Sequence, residues 1–205
     1  MKSYMFVHRL WRGVKLQFTY LFFELPRGLD FSRRDLSVLD GAKAEYHGYA
    51  VTTKAALKNI NSIVPFKGRK VLDIGSGKGN VLRHAKRLGA ASCDGIEFHN
   101  SLHNIALHNL QKLGIDNQCK SFNLPAEEFS RYQDYDLFFL FNPFDPTVYK
   151  QVLTAIREQV GFSGDRLIVM YGAHDDSVLT KDEKFSLIYS GKCPDRKNQL
   201  KIYRF

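Results

Sequence analysis

The segment Val71–Gly79 joins a short apolar run to a loop with glycine at alternate positions. Val71-Leu72-Asp73-Ile74 has the composition of a buried strand, and Gly75-Ser76-Gly77-Lys78-Gly79 follows it directly. Glycine is needed where a backbone must turn tightly and approach a ligand without a Cβ in the way. In an open α/β sheet the first strand-to-helix turn is where a nucleotide-like ligand binds. The segment therefore predicts a parallel sheet with a ligand site at this turn.

The spacing of the glycines and the acid before them narrow the kind of ligand. The order G-S-G-K-G differs from the G-x-G-x-x-G of dinucleotide binders, and it lacks the G-K-[ST] ending of a P-loop. Asp73 stands just before the turn, where a carboxylate would repel a pyrophosphate but can pair with an amino group. We therefore expect a ligand with a cationic or amine end.

The rest of the chain alternates between strand-like and helix-like segments, which is typical of a parallel sheet covered on both faces. The last two strands have no helix between them, so they must pair antiparallel or lie at an edge. The prediction is an α/β, Rossmann-like, seven-stranded and mostly parallel sheet with helices on both faces and antiparallel last strands. The expected strands are Lys70–Ile74, Ser92–Phe98, Gln118–Phe122, Asp136–Phe141, Arg166–Tyr171, Phe185–Ser190 and Gln199–Phe205, and the expected helices are Thr52–Ile63, one ending at Leu88, Asn100–Leu113 and Pro146–Val160.

The N-terminal region predicts an amphipathic helix that ends near Pro26 and Gly28. With 205 residues, the chain fits one domain at 46–205 and an N-terminal helical extension at 1–45. We favour packing of the apolar side on the main domain. A peripheral membrane contact through residues 5–25 is the alternative, since a basic and aromatic helix suits an anionic surface. The apolar positions are Val7, Leu10, Trp11, Val14, Phe18, Leu21, Phe22 and Leu25.

Composition limits the partners and the compartment. The net charge is +9 and the pI about 9.4. Nine Lys or Arg stand against Asp73 alone between Lys54 and Gly89. Such a surface attracts phosphates, nucleic acid or anionic lipid, although scattered lysines on a solvated face are commoner. Three cysteines without CxxC spacing indicate a reducing, cytoplasmic setting and no metal site, and no apolar run approaches the ~18 residues of a membrane span.

Two further groups of residues follow strand ends. Glu97 lies about 20 residues past the glycine loop, the offset at which an acid receives two ribose hydroxyls. Asn142-Pro143-Phe144 follows the apolar run Phe138-Phe139-Leu140-Phe141 at its carboxyl end. Proline biases Asn142 toward an extended conformation, which would aim the Asn142 and Pro143 carbonyls at an acceptor. Phe144 can stack on a flat or cationic substrate.

Together these residues resemble class I S-adenosylmethionine-dependent methyltransferases, over Tyr46 to the end. DIGSGKGN, GIEFHNSLHNIALHNL and LFFLFNPFD are similar to a group of small, mostly uncharacterised bacterial methyltransferases with a DxGSGKG loop and an FNPF motif IV. The resemblance implies that S-adenosylmethionine binds, with S-adenosylhomocysteine as product. It also implies that the loop holds the methionine moiety and Glu97 the ribose. The implied cofactor-binding residues are Asp73, Gly75, Ser76, Gly77, Gly79, Glu97, Asn123 and Asn142.

Some positions depart from the family or extend its pattern. Asn123 would face the adenine, where many relatives have Asp. Motif IV in many amino-methyltransferases is Asn-Pro-Pro-Phe or Tyr, whereas here Phe144 follows the single Pro143. A segment like Tyr46–Thr52 closes over the cofactor in similar enzymes, which places Tyr49 or Thr52 near the sulfonium and makes His47 a candidate base.

Three interpretations of the function stay open, and the first two differ in the acceptor of the methyl group. The favoured one is a small molecule or a glycan precursor, because the chain is short and carries no added substrate domain. The second is methylation of amino groups of nucleic acid or protein, suggested by the charge of +9. The third is a non-catalytic module that binds the cofactor or docks on a membrane. Asn142 with the Pro143 carbonyl would orient an amine, and Asp145 or His47 would serve an alcohol as base, so N- and O-methylation both remain open, as does the oligomeric state.

Overall fold

The computed structural model describes residues 11, 13–33, 49–160, 165–172, 176–193 and 199–205. They form a seven-stranded sheet in the order β3-β2-β1-β4-β5-β7-β6. The predicted α/β architecture is therefore confirmed, including the antiparallel strands at the end. The strands are β1 Lys70–Ile74, β2 Ser92–Ile96, β3 Ser121–Phe122, β4 Leu137–Leu140, β5 Leu167–Tyr171, β6 Ser186–Lys192 and β7 Gln199–Arg204.

The strand order creates a crevice beside β1. The chain pairs β2 with one side of β1 and later returns to pair β4 with the other side, and both pairings are parallel. The loops that leave the carboxyl ends of β1 and β4 therefore diverge, and ligands of doubly wound sheets bind at such a switch point. β7 inserts between β5 and β6 and pairs antiparallel with both.

Helices cover the two faces of the sheet in separate apolar clusters. Val152 and Ile156 of the helix Pro146–Gln159 belong to one cluster, with Phe138 of β4. Leu57 of the helix Lys54–Ile63 and Leu82 of the helix Asn80–Arg87 belong to the other. Burial of both faces explains why β4 and β5 are apolar throughout rather than alternating. The helices are α1 at residues 13–19, α2 Lys54–Ile63, α3 Asn80–Arg87, α4 Asn100–Lys112, α5 Pro146–Gln159 and α6 Ser177–Thr180.

Strand ends are where the sequence prediction and the structure differ. β3 contains only Ser121 and Phe122, instead of the predicted Gln118–Phe122. The backbone N–H groups of Gln118 and Cys119 both donate to Ile115 O, each at 2.9 Å, so they close the turn after α4 and are not available to a strand. β2 and β4 also end earlier than predicted, because the chain leaves the sheet there to form the loops of the site.

The N-terminal extension contacts the domain through residues 24–33. A π-helical turn, Tyr20–Glu24, continues α1, and a 3-10 turn ends at Gly28 in the left-handed conformation, so the predicted helix end is confirmed. Glu24 is buried, and its carboxylate accepts hydrogen bonds from the N–H groups of Phe31 and Ser32 and from the Ser32 hydroxyl. Residues 34–48, which include the predicted boundary at 45 and 46, lie outside the described residues.

The apolar stripe of this extension does not pack on the domain. Among the described residues, Trp11, Val14, Phe18, Leu21, Phe22 and Leu25 are all exposed. At these positions the favoured packing on the domain is not observed. Val7 and Leu10 lie outside the described residues. In the described part of the chain no helix is both long and apolar enough to span a bilayer.

Candidate active site at the carboxyl edge of the sheet

The glycine loop turns sharply at the end of β1 and is fixed to the end of β2. The N–H groups of Gly75 and Ser76 both donate to Ile96 O at 2.9 Å. Gly75, Gly77 and Gly79 have φ values of +79°, +54° and +79°, a region that residues with a side chain rarely adopt. Gly79 is also the N-cap of α3, so the loop leads straight into the helix.

Two of these glycines lie against other predicted site residues. A Cβ on Gly75 would lie 2.5 Å from Pro143 Cβ, and one on Gly77 would lie 2.4 Å from the ring of Tyr49. The loop is thus held between the segment after β4 and the segment before α2. Glycine is required by these close approaches as well as by the backbone angles.

Gly95 is a further requirement that the sequence analysis missed. A Cβ at Gly95 would lie 2.5 Å from both Cβ and Oγ of Ser76. Because Gly95 has no side chain, Ser76 of the glycine loop can pack directly against β2. The available signal was a glycine two residues before Glu97, inside a strand, where glycine often marks close approach of another backbone.

Two carboxylates face the site from the ends of β1 and β2. Asp73 is 2% exposed, and no donor among the described residues hydrogen-bonds to its carboxylate. Burial raises the pKa of Asp73 well above its ordinary value, and the charge of Glu97 raises it further. Such a carboxylate is stabilised as an anion by a cationic partner, which agrees with the predicted amine end of the ligand.

Glu97 has a double role. Its Oε2 accepts the Gly77 N–H at 2.7 Å and its Oε1 accepts the His99 N–H at 2.8 Å. Burial raises the pKa of Glu97, while these two hydrogen bonds lower it. Each carboxylate oxygen can accept more than one hydrogen bond. Glu97 can therefore hold the loop and still receive hydroxyl groups of a ligand.

One cavity unites most of the predicted residues. It opens between the glycine loop, the end of β2 and the segment after β4. Thr52 also lines it, as do residues that the prediction did not name, including His99, Leu102, Leu124, Ala126 and Phe141. The predicted residues in its lining are Tyr49, Asp73, Gly75, Ser76, Gly77, Glu97, Asn142, Pro143 and Phe144.

Asn142 corrects one prediction. Its φ is +44°, in the left-handed region, whereas the following proline predicts an extended residue. Asparagine tolerates this conformation better than most residues, and the packing of Pro143 on Gly75 keeps the turn in place. The turn still directs Asn142 into the cavity lining. Phe144 is buried in the same wall, with its ring edge-to-face on Tyr149 at 6.1 Å.

Tyr49 covers the glycine loop with its ring and directs its hydroxyl elsewhere. The hydroxyl donates to Phe31 O at 2.6 Å, and burial raises the pKa of the phenol well above its ordinary value. The group thus stays protonated and bonded to the N-terminal extension. Lys78 is completely buried beside it, where its Nζ donates to Asp30 Oδ1 at 2.8 Å and to Arg33 O at 2.9 Å.

Three of the remaining predicted residues, Gly79, Asn123 and Asp145, do not line the cavity. Asn123 is not in the cavity lining, and its Nδ2 donates to the carbonyls of Glu97 and Phe98 at 2.8 and 3.0 Å. Asp145 caps α5, because its side chain accepts hydrogen bonds from the N–H groups of Thr147 and Val148. It does not line the cavity either. Gly79 has a φ of +79° and begins α3, so its contribution is to the backbone turn of the loop. His47 lies outside the described residues, within which no group of His, Cys, Asp and Glu has the arrangement of a metal site.

The seven-stranded sheet described above has the fold of solved methyltransferase structures. No family model matches the sequence, and no curated protein matches it. The chain is similar in structure to an RNA methyltransferase from Salinibacter ruber in complex with S-adenosyl-L-homocysteine, with 18% identity and a TM-score of 0.61 over 76% of this chain and 92% of that one.

Two other solved structures show how widely this fold is used. The ribosomal protein L11 methylase from Lactobacillus delbrueckii subsp. bulgaricus is 17% identical, with a TM-score of 0.57 over 78% of this chain and 81% of that one. The mitomycin 7-O-methyltransferase MmcR is 13% identical, with a TM-score of 0.60 over 73% of this chain and 52% of that one. At these identities the likeness establishes the fold, and the acceptors differ among the three.

Proposed function

We propose that this protein is an S-adenosylmethionine-dependent methyltransferase. The observation that carries the proposal is the single cavity in which Asp73, Glu97 and Asn142-Pro143-Phe144 meet the glycine loop. The cofactor supplies an electrophilic methyl group on a sulfonium. The residues present fit it, because the cavity offers two carboxylates to a cationic ligand with hydroxyl groups, and the loop is too close to Pro143 and Tyr49 for any side chain.

Each part of the cavity has a task in this proposal. Asp73, which lacks a donor among the described residues, pairs with the cationic methionine end. Glu97 accepts the ribose hydroxyls while it holds the N–H of Gly77. The apolar side chains of Leu102, Leu124 and Ala126 form the wall beyond Glu97 and suit the flat adenine. Asn123, which the resemblance places at the adenine, does not belong to this lining.

The segment after β4 handles the acceptor. Asn142 and Phe144 line the cavity beside the glycine loop, on which Pro143 packs, so they orient an incoming nucleophile toward the methyl group. Alignment of this kind supplies several kcal/mol of catalysis by itself. Since Asp145 is engaged as a helix cap, it does not serve as a base for an alcohol in this arrangement. An amine, which needs its N–H groups oriented, fits better than an alcohol.

For the acceptor class, a small molecule or a glycan precursor fits best. The aromatic rings of Phe141 and Phe144 bound a cavity inside the domain, and such walls suit a compact group. A second candidate is an amino group of RNA or protein, favoured by the charge of +9 and by nine basic residues between Lys54 and Gly89. Binding of RNA would weaken steeply with salt.

Calorimetric titration tests the cofactor. We expect S-adenosylmethionine and S-adenosylhomocysteine to bind wild-type protein, and Asp73→Asn and Glu97→Gln each to weaken binding by about tenfold or more, as expected for loss of a charge-assisted hydrogen bond. Asp116→Asn, an exposed position remote from the cavity lining, is the matched control and should bind like wild type. Failure of a folded wild-type protein to bind either compound would overturn the proposal.

A second experiment assigns the acceptor. Protein and methyl-labelled S-adenosylmethionine are incubated with a metabolite extract, with total RNA and with ribosomal proteins in parallel. Label in the low-molecular-weight fraction that survives nuclease and protease supports the favoured acceptor. Label lost on nuclease or protease treatment would instead establish the second candidate. Asp73→Asn is the control in every arm.

A further inference from the structure

An apolar, aromatic face on the N-terminal helix has no partner in the described structure. Trp11 is 70% exposed, Phe22 61% and Phe18 52%, and Val14, Leu21, Phe23 and Leu25 are exposed as well. Single exposed apolar residues are ordinary, but a contiguous patch marks an interaction site. Six of the seven recur at three- and four-residue spacing, so they form one stripe. We define the outer face as Trp11, Val14, Phe18, Leu21, Phe22 and Leu25.

The other side of the helix is less exposed. Gly13, Leu16 and Tyr20 are half-buried, and Glu24 is buried. These positions are also three or four residues apart, and they lie roughly opposite the outer face on a helical wheel. On this inner side, the guanidinium of Arg33 lies 5.9 Å from the centre of the Tyr20 ring. The outer face is therefore the more exposed side of the helix.

Charge identifies the partner. The first 23 residues contain Lys2, Arg9, Arg12 and Lys15 and no Asp or Glu, and Glu24 is buried. Of the cationic side chains in the described part of this helix, Lys15 is exposed, as is Arg27 just after it. Each Lys or Arg close to an anionic bilayer contributes about 1 kcal/mol to binding. A surface that combines bulky apolar groups with only positive charge is complementary to anionic phospholipid.

We propose that the outer face docks the protein on an anionic membrane surface, with the helix lying in the plane of the interface. Trp11, Phe18 and Phe22 enter the boundary between head groups and acyl chains, and Lys15 meets the head groups. Interfacial helices of this composition bind by apolar area and electrostatic attraction together. The proposal is independent of the methyltransferase activity, since none of the residues in the outer face lines the cavity.

The single tryptophan of the chain makes the test direct, because its fluorescence reports on the outer face alone. The full-length protein is titrated with vesicles of phosphatidylcholine that contain or lack phosphatidylglycerol. We expect a blue shift, quenching by brominated lipid, and co-flotation with the anionic vesicles only. Elevated salt should weaken binding, because the attraction is partly electrostatic.

Two double variants distinguish vesicle binding through the outer face from nonspecific binding through exposed apolar residues elsewhere. Phe18→Ser/Phe22→Ser should weaken partitioning by at least about tenfold, because burial of one Phe side chain is worth about 1.5–3 kcal/mol. Leu107→Ser/Leu187→Ser removes two exposed apolar residues elsewhere and should bind vesicles like wild type. Both variants should retain the melting temperature of wild type and its binding of S-adenosylhomocysteine.

Three results would overturn the proposal. The first is absence of vesicle binding by a folded wild-type protein. The second is equal binding to neutral and anionic vesicles, which would leave no role for the charge. The third is a concentration-dependent dimer in sedimentation that Phe18→Ser/Phe22→Ser abolishes, since the outer face would then be an interface between two copies of this chain.

Discussion

Asp73 is subject to two opposing requirements at the scale of a single residue. A carboxylate that is 2% exposed and close to a second acid is costly to ionise without a ligand, and its raised pKa expresses this cost. For a group whose folded-state pKa is raised, the stabilising contribution is complete below the unfolded pKa and is lost as pH rises through the folded-state value. At neutral pH the ligand-free protein is therefore destabilised by Asp73, the residue that pairs with the cationic end of the cofactor in the proposed function.

The neutral isostere should separate these effects. We expect Asp73→Asn to raise the melting temperature of the ligand-free protein at neutral pH by about 2–4 °C, which corresponds to about 1 kcal/mol in a domain of this length, and to weaken S-adenosylhomocysteine binding. Thermal unfolding across a pH series measures the first effect, and the gain should disappear below about pH 4, where aspartate is protonated in both states. A variant that melts lower than wild type at neutral pH would contradict this account.

Gly95 is the second residue whose identity is dictated by a neighbour. Gly95→Ala should lower the free energy of unfolding by about 1–3 kcal/mol, the usual cost of overpacking a filled interior. Urea unfolding measures it. The loss should be smaller in a Ser76→Gly background, where the two atoms at 2.5 Å are absent. An equal loss in both backgrounds would show that contact with Ser76 is not the cause.

At the scale of elements, Asn109 of α4 connects three segments. Its side chain is fully buried, accepts the Asp30 N–H at 2.9 Å, and donates to Asp30 O at 2.9 Å and to Lys78 O at 3.0 Å. It therefore joins the N-terminal extension and the glycine loop to one helix. Together with the ion pair of Lys78 and Asp30, it makes residues 24–33 part of the support of the site.

Asn109→Ala removes this connection. With three hydrogen bonds lost at about 1 kcal/mol each, we expect the free energy of unfolding to fall by about 2–4 kcal/mol and the affinity for S-adenosylhomocysteine to fall as the loop loses its support. Asn104→Ala, at an exposed position on the same helix, is the matched control and should change stability by no more than about 0.5 kcal/mol. Similar behaviour of the two variants would show that the connection contributes nothing.

The elements also show how far sequence reasoning reaches. Both ends of β1 were predicted correctly, because its apolar run ends directly at the glycine loop. β3 was predicted too long, since strand propensity does not reveal that Cys119 N–H closes a turn on Ile115. The helical spacing of the extension was correct, but periodicity alone does not tell which side of a helix meets the domain. Nor does it reveal contacts within the extension, such as that of Arg33 with the ring of Tyr20.

The sequence was sufficient to predict most residues that line the cavity, but not the conformation of Asn142 or the orientation of the Asn123 side chain. Asp73, Glu97 and the glycines follow from strand ends, which the alternating pattern locates. The left-handed turn at Asn142 depends on the contact of Pro143 with Gly75, almost seventy residues away in the chain, so local preference gave the wrong conformation. The orientation of the Asn123 amide toward the Glu97 and Phe98 carbonyls is likewise a tertiary effect.

On the scale of the whole molecule, a chain of contacts connects the cavity to the N-terminal extension. Glu97 holds Gly77, the Tyr49 ring covers Gly77, and the Tyr49 hydroxyl holds Phe31 in the extension. At the far edge of the sheet, β6 pairs with β7 alone among the described strands and lies four strands from β1. A ligand in the cavity should therefore stabilise the extension more than the distant edge of the sheet.

Hydrogen exchange with and without S-adenosylhomocysteine measures this asymmetry. We expect slower exchange in residues 75–80, 97–99 and 49–52 and, through Tyr49, in residues 24–33, with little change in Ser186–Lys192. Amides that exchange only after the ligand leaves should slow by up to about 100-fold at a ligand concentration of about 100 Kd. Tyr49→Phe keeps the ring on Gly77 but removes the hydroxyl that binds Phe31 O, so it should retain protection of the loop and lose it in residues 24–33. Equal protection of the extension in both proteins would mean that stabilisation reaches it by another route, such as the ion pair between Lys78 and Asp30.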